Sequence, residues 1–337
     1  MTDIPTIRRG KAALAGSAAA MALGAGLALP AAADDWPTDA LTMYVVSSPG
    51  GGFDAAARQP QPYLEEALGV PLRIENRPGG NTAVATNLVY RTGDDCSAVL
   101  MTGVPHIHFS SLTQEVDYDY EDFYPLAGLT IEPGVVRVRN DAPWETMADL
   151  IDDALERPGE IRASVAFYTN NNFLGILDIM QATGAEFNVV PFGGGAEARN
   201  ALLGGEVDFT HAGVFNSRNV EEGTRVIGIH QEANNWPDIT DDAAPLNEQL
   251  GTEMMPNGSS YGVFVTAACR ENHPDRFETL VEAFHSAKHN EEYLAMLERN
   301  DELGKVNYVA PDAYHEDNLG QYEVIADLVA TREEFAD

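Results

Sequence analysis

Two glycine-rich segments carry the residues best suited to binding chemistry in this chain. The first reads VVSSPGGGFDAAARQ over 45–59, and the second reads VVPFGGGAEARNALL over 189–203. In both, a β-branched run leads into three glycines and then into a stretch with helical character. The first N–H groups of a helix have no intrahelical partner and attract anions. The two segments therefore predict anion-binding turns, with N–H donors at Gly51, Gly52, Phe53, Gly194, Gly195 and Ala196.

The first segment also fits a dinucleotide-binding pattern. Gly50, Gly52 and Ala55 match G-x-G-x-x-A, and Glu75 lies near the end of the next predicted strand, where an acidic residue would bind ribose. An exported NAD(P)-dependent oxidoreductase is therefore an alternative function. Glycines that serve only tight turns are a third interpretation.

Other polar groups give weaker signals. His106 and His108 could supply two metal ligands, but no carboxylate cluster supports a metal site, so loop histidines are expected, with His106 beside a binding cleft. The run DYDYEDF over 117–123 lacks the glycine and final glutamate of a calcium loop and predicts a solvated turn. Motifs of serine hydrolases and zinc proteases are absent from the sequence. We therefore predict no catalytic residue, no metal and no cofactor.

Composition narrows the possible partners. The chain has 337 residues and a formal net charge of -33, which disfavours nucleic acid and anionic membrane surfaces as partners. After residue 33 the only lysines are Lys288 and Lys305, and the spread of acidic residues predicts a solvated, salt-adapted surface. The two cysteines, Cys96 and Cys269, can pair in an oxidising compartment or remain free.

The first 33 residues have the pattern of an export signal. Arg8, Arg9 and Lys11 precede a weakly apolar stretch over 12–29, and small residues end it at Ala33. Cleavage near Ala33 and release into the periplasm are expected. The paired arginines leave both the general secretory route and the twin-arginine route open.

The elements that must position the glycine turns alternate between strand and helix. A strand over 41–48, a helix over 54–68 and a strand over 71–76 begin the series, and a strand over 135–140 continues it. This alternation predicts an α/β fold with mainly parallel sheets flanked by helices. We expect two lobes: 34–138 with 258–337 as lobe 1, and 139–257 as lobe 2, with a ligand cleft between them.

Six stretches in order resemble the substrate-binding proteins of tripartite tricarboxylate transporters, also called Bug receptors. They are VVSSPGGGFDAAAR, PLRIENRPGGNTAVATNLVYR, AVLMTG, EDFYPLAGL, IRASVAFYTNNN and VVPFGGGAEARNALLGGEVDF. The resemblance implies a two-lobed periplasmic binding protein of type II-like fold that closes on a small organic carboxylate. It further implies delivery to membrane subunits, one small with four spans and one large with twelve, and a monomer is expected. A ligand-binding partner of a sensor is an alternative role.

Residues carried over from this resemblance extend the predicted site. They are Ser48, Pro49 and Asp54 in the first loop, Thr102 after the third strand, Ser164, Thr169 and Asn170 in the middle stretch, Phe192 before the second glycines, and Asp208. The chain also departs from the family pattern. Gly193 replaces a frequent lysine and removes a cation, and bulkier residues stand at Ala166 and Tyr168. The size and far-end chemistry of the ligand therefore do not transfer.

Overall fold

A computed structural model describes residues 36–166, 168 and 170–331. The predicted signal at 1–33 and the predicted ligand contact Thr169 lie outside the described residues. Strands and helices alternate through most of the described chain. The strands are β1 Leu41–Val45, β2 Leu72–Asn76, β3 Ala98–Val104, β4 Phe123–Arg139, β5 Arg162–Val165, β6 Asn188–Pro191, β7 Phe209–Gly213, β8 Thr224–Ile229, β9 Gly258–Thr266 and β10 Val306–Val309. The α-helices are α1 Gly52–Arg58, α2 Gln61–Leu68, α3 Ala83–Thr92, α4 His106–Thr113, α5 Met147–Glu156, α6 Asn171–Thr183, α7 Gly195–Gly204, α8 Leu246–Leu250, α9 Ala267–Asn272, α10 Pro274–Lys288, α11 Glu291–Arg299 and α12 Pro311–Thr331.

The strands form one path in the order β2-β1-β3-β9-β4-β7-β5-β6, with β8 and β10 also paired to β4. The pairs β1/β2, β1/β3, β5/β6 and β5/β7 are parallel, as the strand-helix alternation predicts. The pairs that involve β9 or β4 are antiparallel. The predicted α/β fold is thus confirmed, but its sheet is mixed rather than mainly parallel.

Strand β4 is much longer than the strand predicted over 135–140. Its first part pairs with β9 from Phe123 to Pro133, and its last part pairs with β7 and β8. The first part contains Pro125, Gly128 and Pro133, which weaken any strand signal in a sequence. The pairing of β4 with β9 accommodates these residues through register shifts after Pro125 and after Gly128.

The single helix predicted over 54–68 is two helices. Helix α1 ends at Arg58, and α2 begins at Gln61 after Pro60. Proline has no N–H to donate and clashes with the preceding turn, so it interrupts a continuous helix. The shorter α1 leaves the first glycine turn attached to a seven-residue helix.

Two large apolar clusters flank the middle of β4. The first contains buried side chains between 41 and 129 and between 261 and 314. The second contains buried side chains between 136 and 246. The lobe boundaries at 138 and 258 stay a prediction, and these clusters are the packing units that a two-lobed division would have.

Cys96 and Cys269 form a disulfide, which resolves the choice that the sequence left open. It joins the turn before β3 to helix α9. Lys288 and Lys305 are both buried, and Lys305 forms an ion pair with Glu302 at 2.9 Å. Within the described ranges, no helix combines the length and apolar character needed to span a bilayer.

Candidate functional site

The two glycine turns face each other. A side chain added at Gly194 would place its first carbon 3.8 Å from Cβ and Oγ of Ser48. A cavity lies beside this approach, between the two turns and the start of α6. Six predicted residues line it: Gly51, Gly52, Phe53, His106, Asn170 and Gly195.

The first wall is built where β1 ends and α1 begins. No side chain caps the start of α1, so its first N–H groups have no capping acceptor. The N–H of Gly51 already donates to Ser48 O at 3.2 Å, however, which corrects its predicted role as an anion donor. Gly52 and Phe53 remain the N–H donors of this wall.

Gly52 must be a glycine for a packing reason. A Cβ there would lie 2.7 Å from Oη of Tyr261 and 3.2 Å from Nδ2 of Asn216. The Tyr261 ring packs against the Phe53 ring, with centroids 4.2 Å apart. The missing side chain therefore lets the backbone of the first turn approach groups on β9 and on the loop after β7.

The second wall is the start of α7. Gly194 stands at the N-cap position of this ten-residue helix, and no side chain caps the helix start. The Glu197 carboxylate accepts from the N–H of Gly193, at 2.9 Å, and not from the first N–H groups of the helix. The N–H groups at Gly195 and Ala196 therefore belong to an uncapped helix start, as predicted. Gly195 lines the cavity, and Ala196 lies next to it in the chain.

The three asparagines at 170–172 form the third wall. Asn170 caps α6, because its Oδ1 accepts from Phe173 N at 2.8 Å. Asn172 donates from Nδ2 to His211 O at 2.7 Å. The backbone oxygen of Asn171 accepts a hydrogen bond from Nδ2 of Asn257 at 2.9 Å. The three asparagines are thus held in place by helix α6, by strand β7 and by Asn257 just before β9, while they line the cavity.

Arg199 is the cavity residue with a formal charge that the sequence reasoning missed. It lies on α7 and is 3% exposed. Its Nε donates to Oδ1 of Asn219 at 2.8 Å, and its Nη1 lies 3.4 Å from Oδ1 of Asn216. Burial lowers the pKa of Arg199, while Tyr261 and Glu132 act in the opposite direction.

Asn216 and Tyr261 were also missed, together with the lining residues Ser47 and Ala166. Asn216 donates from Nδ2 to Oη of Tyr261 at 3.1 Å. Arg199 stands inside the second glycine segment, so its charge was visible there. Asn216 and Tyr261 gave no signal, because distant parts of the chain bring them to the cavity.

Several predicted site residues serve the scaffold instead. The Asp54 carboxylate accepts from Gly50 N, Arg58 Nε and Asn76 Nδ2 at 2.9, 2.8 and 3.0 Å, so it braces the first turn. Ser164 donates from Oγ to Ala198 O at 3.0 Å and ties β5 to α7. These side chains are engaged behind the walls and do not line the cavity.

The remaining predicted contacts also lie off the cavity. Thr102 is fully buried in β3, Phe192 packs against an apolar cluster at α7, and Pro49 is exposed. Asp208 precedes β7 and accepts from the N, Nε and Nη2 of Arg162 at 2.8, 3.1 and 3.0 Å. Arg162 begins β5, whereas the cavity residue Ala166 follows its end, so Asp208 lies at the opposite end of the sheet.

The histidines predicted in a loop lie on α4. His106 begins this helix, is 4% exposed and meets the Phe53 ring edge-on at 5.0 Å. Burial lowers the pKa of His106 and of His108 to about 3, so both are neutral at physiological pH. Among the residues that the structure describes, no three His, Cys, Asp or Glu side chains group as a metal site would require.

Comparison with known proteins identifies the family of this chain. The sequence model described as "Tripartite tricarboxylate transporter family receptor" matches residues 56–327. Protein BugT of Bordetella pertussis is 29% identical over 187 residues, which cover 54% of this chain and 57% of that protein. The chain thus matches a little over half the length of this curated relative.

Solved structures share the fold. The periplasmic binding protein BugD has a TM-score of 0.77 at 21% identity, covering 88% of this chain and 98% of that one. MatC from Rhodopseudomonas palustris with bound malate has a TM-score of 0.76 at 20% identity, covering 87% and 99%. An R. palustris protein solved with adipate has a TM-score of 0.76 at 22% identity, covering 88% and 98%. By its family match over most of its length and by its fold, this chain belongs to the tripartite tricarboxylate transporter family of receptors.

Proposed function

We propose that this chain captures a small organic carboxylate outside the cytoplasm and delivers it to a tripartite membrane transporter. The main support for this proposal is the cavity between the two uncapped glycine turns. A buried arginine also lines this cavity. A carboxylate there would accept hydrogen bonds from Gly52 and Phe53 on one wall and from Gly195 and Ala196 on the other. No step of this function needs a catalytic group or a cofactor.

Hydrogen bonds to a charged group contribute about 1.5–3 kcal/mol each. Four of them support micromolar affinity after the costs of association and of ordering the site. The uncharged donors belong to partly buried turns, where the lower local dielectric strengthens their dipoles. This arrangement explains how a protein of net charge -33 can hold an anion.

Ligand entry requires the walls to separate. The cavity measures about 40 Å³, which accommodates only a few water molecules. Strands β4 and β9 are the segments that pass between the two apolar clusters, so we propose that the lobes hinge there. Transfer to small four-span and large twelve-span membrane subunits would follow closure, and the receptor would act in the periplasm as a monomer.

The alternative oxidoreductase function depends on nucleotide binding at the first glycine turn. Tyr261 and Asn216 fill the space next to Gly52, and Glu75 pairs with Arg77 at 2.6 Å. These contacts favour a small carboxylate, because little room is left beside Gly52 for a bulky pyrophosphate and the acidic side chain expected to bind ribose is paired with an arginine.

Thermal denaturation with a ligand panel tests the proposal. The panel contains malate, adipate, citrate, benzoate and aspartate, with NAD and NADP as the competing class. We expect at least one carboxylate to raise the Tm and neither nucleotide to do so. Stabilisation by a nucleotide alone would overturn the proposal. Neighbouring genes for four-span and twelve-span proteins would favour transport, and a neighbouring histidine kinase would favour the sensor role.

A further inference from the structure

Arg199 presents a buried positive charge to the cavity. It lies on α7 close to Gly195, and a Cβ at Gly195 would be 2.9 Å from its Nη1. The absent side chain at Gly195 therefore leaves the guanidinium room at the second wall. Arg199 is 3% exposed, so water does little to screen its charge.

The partners of this guanidinium are neutral. Its two hydrogen-bond acceptors are the amide oxygens of Asn219 and Asn216. Within the described part of the chain, no carboxylate oxygen lies within 4 Å of its nitrogens, since Arg199 forms none of the ion pairs there. Arginine stays charged in proteins even when burial disfavours the charge.

Glu132 is connected to Arg199 only indirectly, through Asn216. Glu132 Oε2 accepts from the backbone N–H groups of Phe215 and Asn216, at 3.2 and 3.1 Å. The Asn216 side chain, on the other side, meets Arg199 and Tyr261. Glu132 therefore interacts with Arg199 at a distance and does not occupy the fork of the guanidinium.

A buried cation without a direct acidic partner is costly unless an anion reaches it. Arg199 lines the cavity that the ligand would enter. We propose that Arg199 is a specificity-determining residue that binds a second acidic group on the ligand, so that the receptor prefers dicarboxylates to monocarboxylates. This role rests on the proposed function, since the glycine turns must hold the first carboxylate.

The chemistry of a guanidinium favours a ligand whose second group is a carboxylate over one whose second group is neutral. A guanidinium presents a planar fork of N–H donors that matches a carboxylate in two parallel hydrogen bonds. An amide or hydroxyl in the same place would leave the buried charge uncompensated. The discrimination should therefore depend on the charge of the second group more than on its size.

Isothermal titration of diacids against their own monoamides tests this role. The probes are succinate with succinamate and adipate with adipamate, because each pair differs by one charge at nearly constant shape. For the diacid length that fits, the wild-type protein should bind the diacid at least about tenfold more tightly than its monoamide. This comparison needs no variant, and equal affinities within both pairs would overturn the inference.

The Arg199→Gln variant assigns the preference to this residue. We expect the diacid preference to fall below about threefold, chiefly because the diacid binds more weakly. Arg199→Lys, which keeps the charge without the fork, should retain an intermediate preference. The matched control is Arg137→Gln, which alters another buried arginine that donates to Thr224 at 3.1 Å and does not line the cavity.

The outcomes separate the two proposals. A retained diacid preference in Arg199→Gln, or an equal loss in the Arg137→Gln control, contradicts the role of Arg199 while leaving carboxylate binding intact. Binding of no carboxylate by the wild-type protein contradicts the proposed function itself.

Discussion

Glu132 and Asn216 join the long central strand to the wall of the cavity. Glu132 Oε2 accepts from Asn216 N at 3.1 Å, and the Asn216 side chain donates to Tyr261 Oη at 3.1 Å. Burial raises the pKa of Glu132 to about 7, although Lys305, Asn216 and Arg199 act to lower it. An acid that titrates near neutrality thus stands directly behind the proposed ligand site.

Glu132→Gln should make the protein more stable at pH 8 and leave it nearly unchanged at pH 4. The pKa of Glu132 is raised from its ordinary 4.5 to about 7. The folded state therefore holds a proton that the unfolded state releases between these values, and the associated stability is lost as the pH rises through 7. This shift corresponds to about 3 kcal/mol. Denaturant unfolding of both proteins from pH 4 to pH 8 measures it.

The buried His211–His230 pair, whose ring nitrogens lie 3.2 Å apart, provides the internal reference. Burial lowers the pKa of both histidines, to about 4 for His230, so their stabilising effect falls as the pH drops below 6.5. Both proteins contain this pair, and its effect cancels in the difference between them. A difference that does not grow between pH 5 and pH 8 would contradict the raised pKa of Glu132.

Gly52→Ala should weaken carboxylate binding by at least about tenfold. The added methyl would stand 2.7 Å from Tyr261 Oη, so either the first turn or the ring must move. Gly320→Ala is the control, because nothing lies within 4 Å of its added carbon and it stands in α12. Titration calorimetry with the tightest carboxylate of the panel compares the two variants, and equal affinities would remove Gly52 from the site.

Loss of the Cys96–Cys269 disulfide should lower stability by about 4 kcal/mol, because it closes a long loop with a sequence separation of 173. Thermal unfolding with and without a reductant measures the effect. The double variant Cys96→Ala with Cys269→Ala should show the lowered Tm and no response to the reductant. A wild-type Tm that reductant leaves unchanged, once thiol titration shows the bond to be broken, would refute the stabilising role.

Asp208→Asn should lower stability by about 1–2 kcal/mol without changing ligand affinity by more than about twofold. Its carboxylate holds the backbone and side chain of Arg162, at the end of the sheet away from the cavity. Asp141→Asn is a matched control, because Asp141 also forms an ion pair with an arginine, Arg139, at 3.0 Å. The Asp141 side chain is 79% exposed, so the loss of this pair should change stability little. A large loss of affinity in Asp208→Asn alone would return this residue to the binding site.

The sequence was most informative where its pattern is local. Apolar strands followed by helix-like stretches specified the α/β fold, and the glycine triplets marked both turns because few residues tolerate such sharp bends. Strand β4 was only partly predicted, since Pro125, Gly128 and Pro133 interrupt the alternation that a strand needs. Its pairing with β9 supplies the stability that local propensity lacks.

The site was harder to predict than the fold, because its specificity is assembled from distant segments. Tyr261 comes from β9 and Asn216 from the loop after β7, and neither stands near a motif. The replacement of a lysine by Gly193 suggested a site without a cation. Arg199, six residues later on the inward side of α7, restores the positive charge from the helix.

A crystal structure of the protein with its tightest-binding carboxylate tests the central claim most directly. We expect a carboxylate oxygen within hydrogen-bonding distance of the backbone nitrogens of Gly52 or Phe53, with the ligand enclosed between the two glycine turns. A ligand bound elsewhere, with both turns unaltered and the cavity between them still closed, would contradict the account.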